Sequence, residues 1–241
     1  MLLLRPSTRS CLVLAFCLIL TGATHAVSAA VNEGRAGDDQ FALNRDYQQL
    51  LAVATEYQSQ GFGKRALPLL LEALALSQQL PLAEQIRSQL ALATVNYELG
   101  RYGTALGFLD EVRSQLKSVN DDSRTEALNL SATIYSRLND QGKAQEFFLL
   151  ADEAAKRSSG LINFTVLTNR LRYEMDFANH KVLTGLLDRS WVDSQALGKS
   201  LQVAEIQVSL AVLYLRAIND FQQEVHWRDR ALTLLTAAGD I

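Results

Sequence analysis

Proline is scarce in this chain of 241 residues, with three in all, and its thirteen glycines fall mostly where a helical pattern breaks. Long helices joined by short turns are the reading that follows. Strand signals are missing as well. Short spots such as Asn163-Phe164-Thr165-Val166-Leu167 carry a β-branched and aromatic bias, but none alternates over the length of a strand. A concentrated basic surface is absent too. Lys and Arg number 23 against 26 Asp and Glu, and they are scattered, so no nucleic-acid partner is expected.

Cysteine is confined to Cys11 and Cys17, inside an apolar run from Cys11 to Leu20 that follows Arg5 and Arg9. That run is too short to span a bilayer, which takes about 20 residues. With small residues after it, it has the form of a secretory signal peptide. The cleavage is placed after Ala26, at Thr24-His25-Ala26, with Ala29 or Ala30 as alternatives. The expected mature protein is exported, periplasmic in a Gram-negative bacterium and otherwise secreted, with no membrane insertion after cleavage. Losing both cysteines with the signal removes disulfides, thiol nucleophiles and thiolate metal sites.

Catalytic motifs are lacking throughout. There is no Gly-rich phosphate loop, no G-x-S-x-G elbow and no H-E-x-x-H. His180 and His226 lie far apart without the i, i+4 partner of a metal-binding helix, so no metal, cofactor or enzymatic activity is expected. Trp191 and Trp227 read as core or inter-repeat packing. Asp121 and Asp122 suit the start of a helix, where the dipole favours negative charge.

What the chain does have is a repeat. Ala66, Ala105 and Ala144 stand 39 residues apart, and so do Ala73, Val112 and Ala151. The bulky series Leu70, Leu109, Phe148 and Leu187 keeps the same step, each series lying past a turn at Gly61, Gly100 or Asn139-Asp140. Coincident series at one spacing predict an all-α fold, an α-solenoid of about five antiparallel helix hairpins. The small residues let the two helices of a hairpin approach, and Gly100 is expected to take the left-handed conformation that ends the first helix. Pro68 predicts a late start or a bend in its helix.

The expected organisation is a signal peptide at 1–26, a flexible lead-in at 27–42 and a repeat domain at 43–241. Its units fall at about 43–80, 81–119, 120–159, 160–198 and 199–238.

The stretch Leu92-Ala93, Tyr97, Leu99-Gly100-Arg101-Tyr102, Ala105-Leu106 and Phe108-Leu109 is similar to the helix-turn-helix pattern of tetratricopeptide repeats (TPR), in a long-period form of roughly 40 residues instead of 34. The match weakens after Gly160, where Phe177-Ala178-Asn179-His180 replaces a glycine turn, Leu183 a small alanine and Glu224 its counterpart in unit five.

The resemblance implies a concave groove lined by the first helix of each unit, holding a peptide or protein segment. By register it implicates Gln48, Leu51, Thr55 and Gln58, then Arg87, Leu90, Thr94 and Tyr97. Glu126, Asn129, Thr133, Ser136 and Arg137 follow, and then Thr168, Arg172 and Met175. The same residues would serve equally as a solvated face.

The expected function is an exported, non-enzymatic protein-protein interaction scaffold. The alternative is a sensory or regulatory repeat module of an envelope signalling or caspase-like system, with its catalytic part elsewhere. The final stretch, Arg230 to Ile241, ends at an inter-repeat break without a polar capping helix, which would allow an oligomer through that end.

Overall fold

The computed structural model describes residues 40–115, 120–177, 180–198, 200–221 and 226–239. The signal peptide, residues 27–39 of the lead-in, the Ala178-Asn179 turn and Glu224 lie outside the described residues, as do the side chains of His180, His226 and Trp227.

All regular structure among the described residues is helical. The helices are α1 (40–59), α2 (Gly63–Ser77), α3 (Leu82–Glu98), α4 (Tyr102–Ser114) and α5 (Asp121–Arg137). They continue with α6 (Gln141–Ala155), α7 (Gly160–Asp176), α8 (His180–Gln195), α9 (Leu201–Phe221) and α10 (His226–Gly239). The chain is already helical at Gln40, so residues 40–42 belong to α1 and not to a flexible lead-in.

Each odd-numbered helix from α3 to α9 packs on its even-numbered hairpin partner and on the odd-numbered helix before or after it. The result is an inner row, α3, α5, α7 and α9, backed by an outer row. Helix α1 joins the stack through a buried cluster in which Tyr47, Leu51 and Ala54 meet Ala66, Leu70, Leu92 and Val95.

The repeat series explain this packing. Ala66, Ala105 and Ala144 are fully buried, as are Ala73, Val112 and Ala151. Leu70, Leu109, Phe148 and Leu187 supply the bulk at the same crossings, with at most 2% exposed. Small side chains at the crossings bring the backbones close, and the large ones fill the remaining volume.

The turns repeat too. Gly61, Gly100 and Asn139 have φ of 76°, 72° and 60°. Past each, the backbone N–H of Phe62, Arg101 and Asp140 donates to the carbonyl five residues back, at 2.8, 2.8 and 2.9 Å. This is the helix-ending bond of a left-handed cap, and asparagine tolerates the conformation better than most residues with a Cβ. Helix α2 already begins at Gly63 and contains Pro68, which is exposed, so the late start expected there does not occur.

Ion pairs and caps tie the units together. The Asp152 carboxylate on α6 lies 3.0 Å from Arg170 on α7 and 2.9 Å from Arg189 on α8. Asp122 on α5 accepts a hydrogen bond from the backbone N–H of Ser159, the N-cap of α7, at 2.9 Å. Asp176 on α7 meets Arg216 on α9 at 2.7 Å. At the far end of the stack α9 leaves Val208, Val212 and Leu215 exposed, and α10 leaves Leu232 and Leu235 exposed. Trp191 packs half-buried against the core there, with the Arg230 guanidinium 5.4 Å above its ring.

Candidate functional site: a groove along the inner helices

The inner row leaves a groove of about 920 Å³ between α1, α3, α5 and α7. Helical geometry decides what faces it. Each of the three central helices contributes one stripe at i, i+3, i+7 and i+10: Glu84, Arg87, Ala91 and Thr94 on α3, then Ser123, Glu126, Leu130 and Thr133 on α5. The same stripe on α7 is Ile162, Thr165, Asn169 and Arg172. Thr55 and Gln58 close the α1 end, and Tyr97 lies one turn past Thr94.

Ten of the expected residues line this groove: Thr55, Gln58, Arg87, Leu90, Thr94, Tyr97, Glu126, Asn129, Thr133 and Arg172. Ser136 and Arg137 line a smaller cleft of about 250 Å³ that adjoins it through Thr133, Asn169 and Arg172. Gln48 sits beside the groove, its side-chain oxygen 3.3 Å from Arg87 Nη1.

Three placements differ. Leu51, Thr168 and Met175 are only 5%, 3% and 3% exposed. Leu51 and Met175 belong to apolar core clusters, and the Thr168 hydroxyl donates to the Phe164 carbonyl at 2.9 Å. Leu51 and Thr168 share a repeat position with Leu90 and Asn129, each 8% exposed, at the seam between the inner helices. Ala91, Leu130 and Asn169, one residue further on, also line the groove and fall outside the expected register; Ala91 and Leu130 are small or apolar side chains that advertise no chemistry.

The threonines differ in what they offer. The hydroxyls of Thr55, Thr94 and Thr133 each donate to the carbonyl four residues back, at 2.8, 3.0 and 2.9 Å. Their protons are spent on the helix, which leaves them as acceptors.

Charge is uneven along the groove. Burial pushes the Glu126 carboxyl above its ordinary range, and the nearby Asp122 adds to this while Arg87 opposes it. Glu126 as a whole is solvent-exposed, and what surrounds it is the lining of the groove. Glu98 is likewise raised by burial, against the pull of a hydrogen bond from Gln58. At the other end Arg137 hydrogen-bonds the Tyr97 hydroxyl, which holds its guanidinium above the ordinary value.

An apolar cleft of about 520 Å³ between α9 and α10 is lined, among the described residues, by Ala204, Glu205, Val208, Leu235, Ala238 and Gly239, of which only the glutamate is suited to acid-base work. Among the described residues no His, Cys, Asp and Glu are grouped to hold a metal ion, and no helix is long and apolar enough to cross a membrane.

No protein-family model matches this sequence, and no curated protein matches it. Solved structures do. BtubC (BKLC) from P. vanneervenii aligns with a TM-score of 0.62 at 20% identity, covering 80% of this chain and 81% of that one. A kinesin-light-chain-like protein of Podosopora anserina, with nearly identical TPR-like repeats, aligns at 0.53 and 19% identity over 80% of this chain and 93% of its own. A point variant of the same Podosopora anserina protein aligns at 0.58 and 18%, over 80% and 96%. At such identities the likeness is one of fold, and the fold is that of a TPR-like helical solenoid.

Proposed function

We propose that this chain is an exported, non-enzymatic scaffold that holds an extended segment of another protein along its concave face. The observation that supports the reading is the groove itself. One stripe of residues recurs on α3, α5 and α7, so a ligand lying across the three helices meets a repeated surface about 920 Å³ in volume. The fold shared with TPR-like proteins is consistent with protein partners in general. The residues assigned to contact are Thr55, Gln58, Arg87, Thr94, Tyr97, Glu126, Asn129, Thr133 and Arg172, with Ser136 and Arg137 in the adjoining cleft.

Crosslinking in the native compartment followed by mass spectrometry tests it. Crosslinks from a partner should map to this face, and Arg87→Glu with Arg137→Glu should abolish them. Crosslinks confined to the outer row would sink the proposal. Export is tested separately by intact mass, which should begin near Val27.

A second reading, a regulatory module docking on another helical unit, draws on the exposed Val208, Val212 and Leu232 of α9 and α10. Light scattering that gives a monomer at all concentrations, alone and with its native neighbours, would remove it.

A further inference from the structure

Glu84, Asp122 and Glu126 face the α3–α5 part of the groove together, with Arg87 beside them. Arg87 is already engaged, its Nη1 lying 3.3 Å from Gln48 Oε1 and 3.9 Å from Glu84 Oε2. Asp122 spends one oxygen on the N–H of Ser159. Acids therefore outnumber available bases on this wall. By itself that would describe a solvated face.

Two further observations point to a ligand. Asn129 is 8% exposed and lines the same groove, and its side-chain oxygen has no hydrogen-bond donor. A buried oxygen left without a donor is unfavourable and is relieved when an N–H arrives. The hydroxyls of Thr94, Thr133 and Thr165 also donate back to their own helices, at 3.0, 2.9 and 2.9 Å. Toward the groove they offer lone pairs only. The wall is rich in acceptors, and Glu126 resists ionisation there, first through burial and then through the nearby Asp122.

We propose that this wall is a subsite for a cationic, multi-donor side chain, lysine or arginine, of the segment the groove holds. The inference rests on the segment-holding function proposed above and names the chemistry of what is held. A guanidinium or ammonium brings the charge that Glu84 and Glu126 lack and the N–H that Asn129 lacks. An acidic side chain at the same place meets like charge and is refused.

The test uses the full chain, isotope-labelled, titrated with N-acetyl-arginine amide and separately with N-acetyl-citrulline amide, which keeps the shape but not the charge. The Asn129 side-chain amide and the Glu126 carboxyl carbon should shift saturably with the arginine probe. Affinity for the citrulline probe should be weaker by about fivefold or more. Glu126→Gln and Asn129→Leu should each weaken the arginine probe by about fivefold, and the second places at 129 the side chain that Leu90 already presents one repeat earlier.

Thermal melts establish that both variants fold, and if one does not, the other decides. Equal response to the two probes, or wild-type affinity in a folded variant, overturns the subsite. The two proposals fail separately. A crosslinked partner with no basic residue at this wall removes the subsite and leaves the scaffold, whereas probe binding with no crosslinked partner does the reverse.

Discussion

The Tyr47 hydroxyl on α1 donates to the backbone carbonyl of Glu84 on α3 at 2.8 Å, across a joint between two repeats. The Tyr47 side chain is fully buried, and Ser88 donates to its hydroxyl oxygen at 3.2 Å. Tyr47→Phe removes both bonds and should lower stability by about 1 kcal/mol in urea unfolding. Burial, with the nearby Glu84 adding, pushes the phenol up to about 12 from 10. The unfolded chain releases this proton first, so the tyrosine's contribution is full below pH 10 and fades between 10 and 12. Urea midpoints across that interval should fall less steeply for Tyr47→Phe.

Gly100 has φ of 72°, and a Cβ there would meet nothing within 4 Å. The cost of Gly100→Ala is therefore backbone strain alone, about 1 kcal/mol. Asn139→Gly, at the equivalent turn, should change stability in the opposite direction. Paired thermal melts check the two signs.

Ala105 is fully buried where α4 crosses its neighbours. Ala105→Leu inserts bulk into a closed crossing and should destabilise by about 1 to 3 kcal/mol. Gly107→Ala, two residues on and facing open space, should be neutral or stabilising in the same assay, since alanine is the better helix former.

Asp152 serves two arginines, with 20% of its side chain exposed and 14% of that of Arg170. Asp152→Ala takes one partner from each guanidinium and should cost about 2 kcal/mol, between the values for surface and fully buried pairs. Arg170 keeps Glu174 at 3.6 Å and Arg189 keeps Asp193 at 3.5 Å, which limits the loss. A double-mutant cycle with Arg170→Met isolates the pair.

Glu126 carries a carboxyl held above its ordinary range by burial, then by Asp122, against Arg87. The folded chain binds its proton more tightly than the unfolded one does. Stability from this group therefore declines as pH rises from the unfolded value through the folded one. Glu126→Gln should flatten that decline and stabilise the chain at neutral pH. Urea midpoints at mildly acidic and neutral pH should show it.

The turns and the hairpin crossings were legible in the sequence because each depends on a residue type that few positions tolerate. Gly61, Gly100 and Asn139 mark a left-handed backbone, and Ala66, Ala105 and Ala144 mark close approach. The groove was legible only in part. A helical period marks a face but not its edge, and Leu51 and Ala52 differ by one residue between core and solvent. The joints were not legible. Asp152 and Arg189 are 37 residues apart, and nothing in their neighbourhood separates this pair from a solvated one. Asp122 suits the dipole of its own helix, and it also holds the N-cap residue of α7, two helices on.

Of the inner row, α5 and α7 are each flanked by another inner helix on both sides, and α3 by α5 on one side and α1 on the other. In a stack held by neighbour contacts, fraying starts where a flank is missing. Amide protons should exchange fastest toward α1 and α10 and slowest in α5. The groove wall thus belongs to the last part of the chain to open, so a held segment could stay in place while the ends of the array breathe.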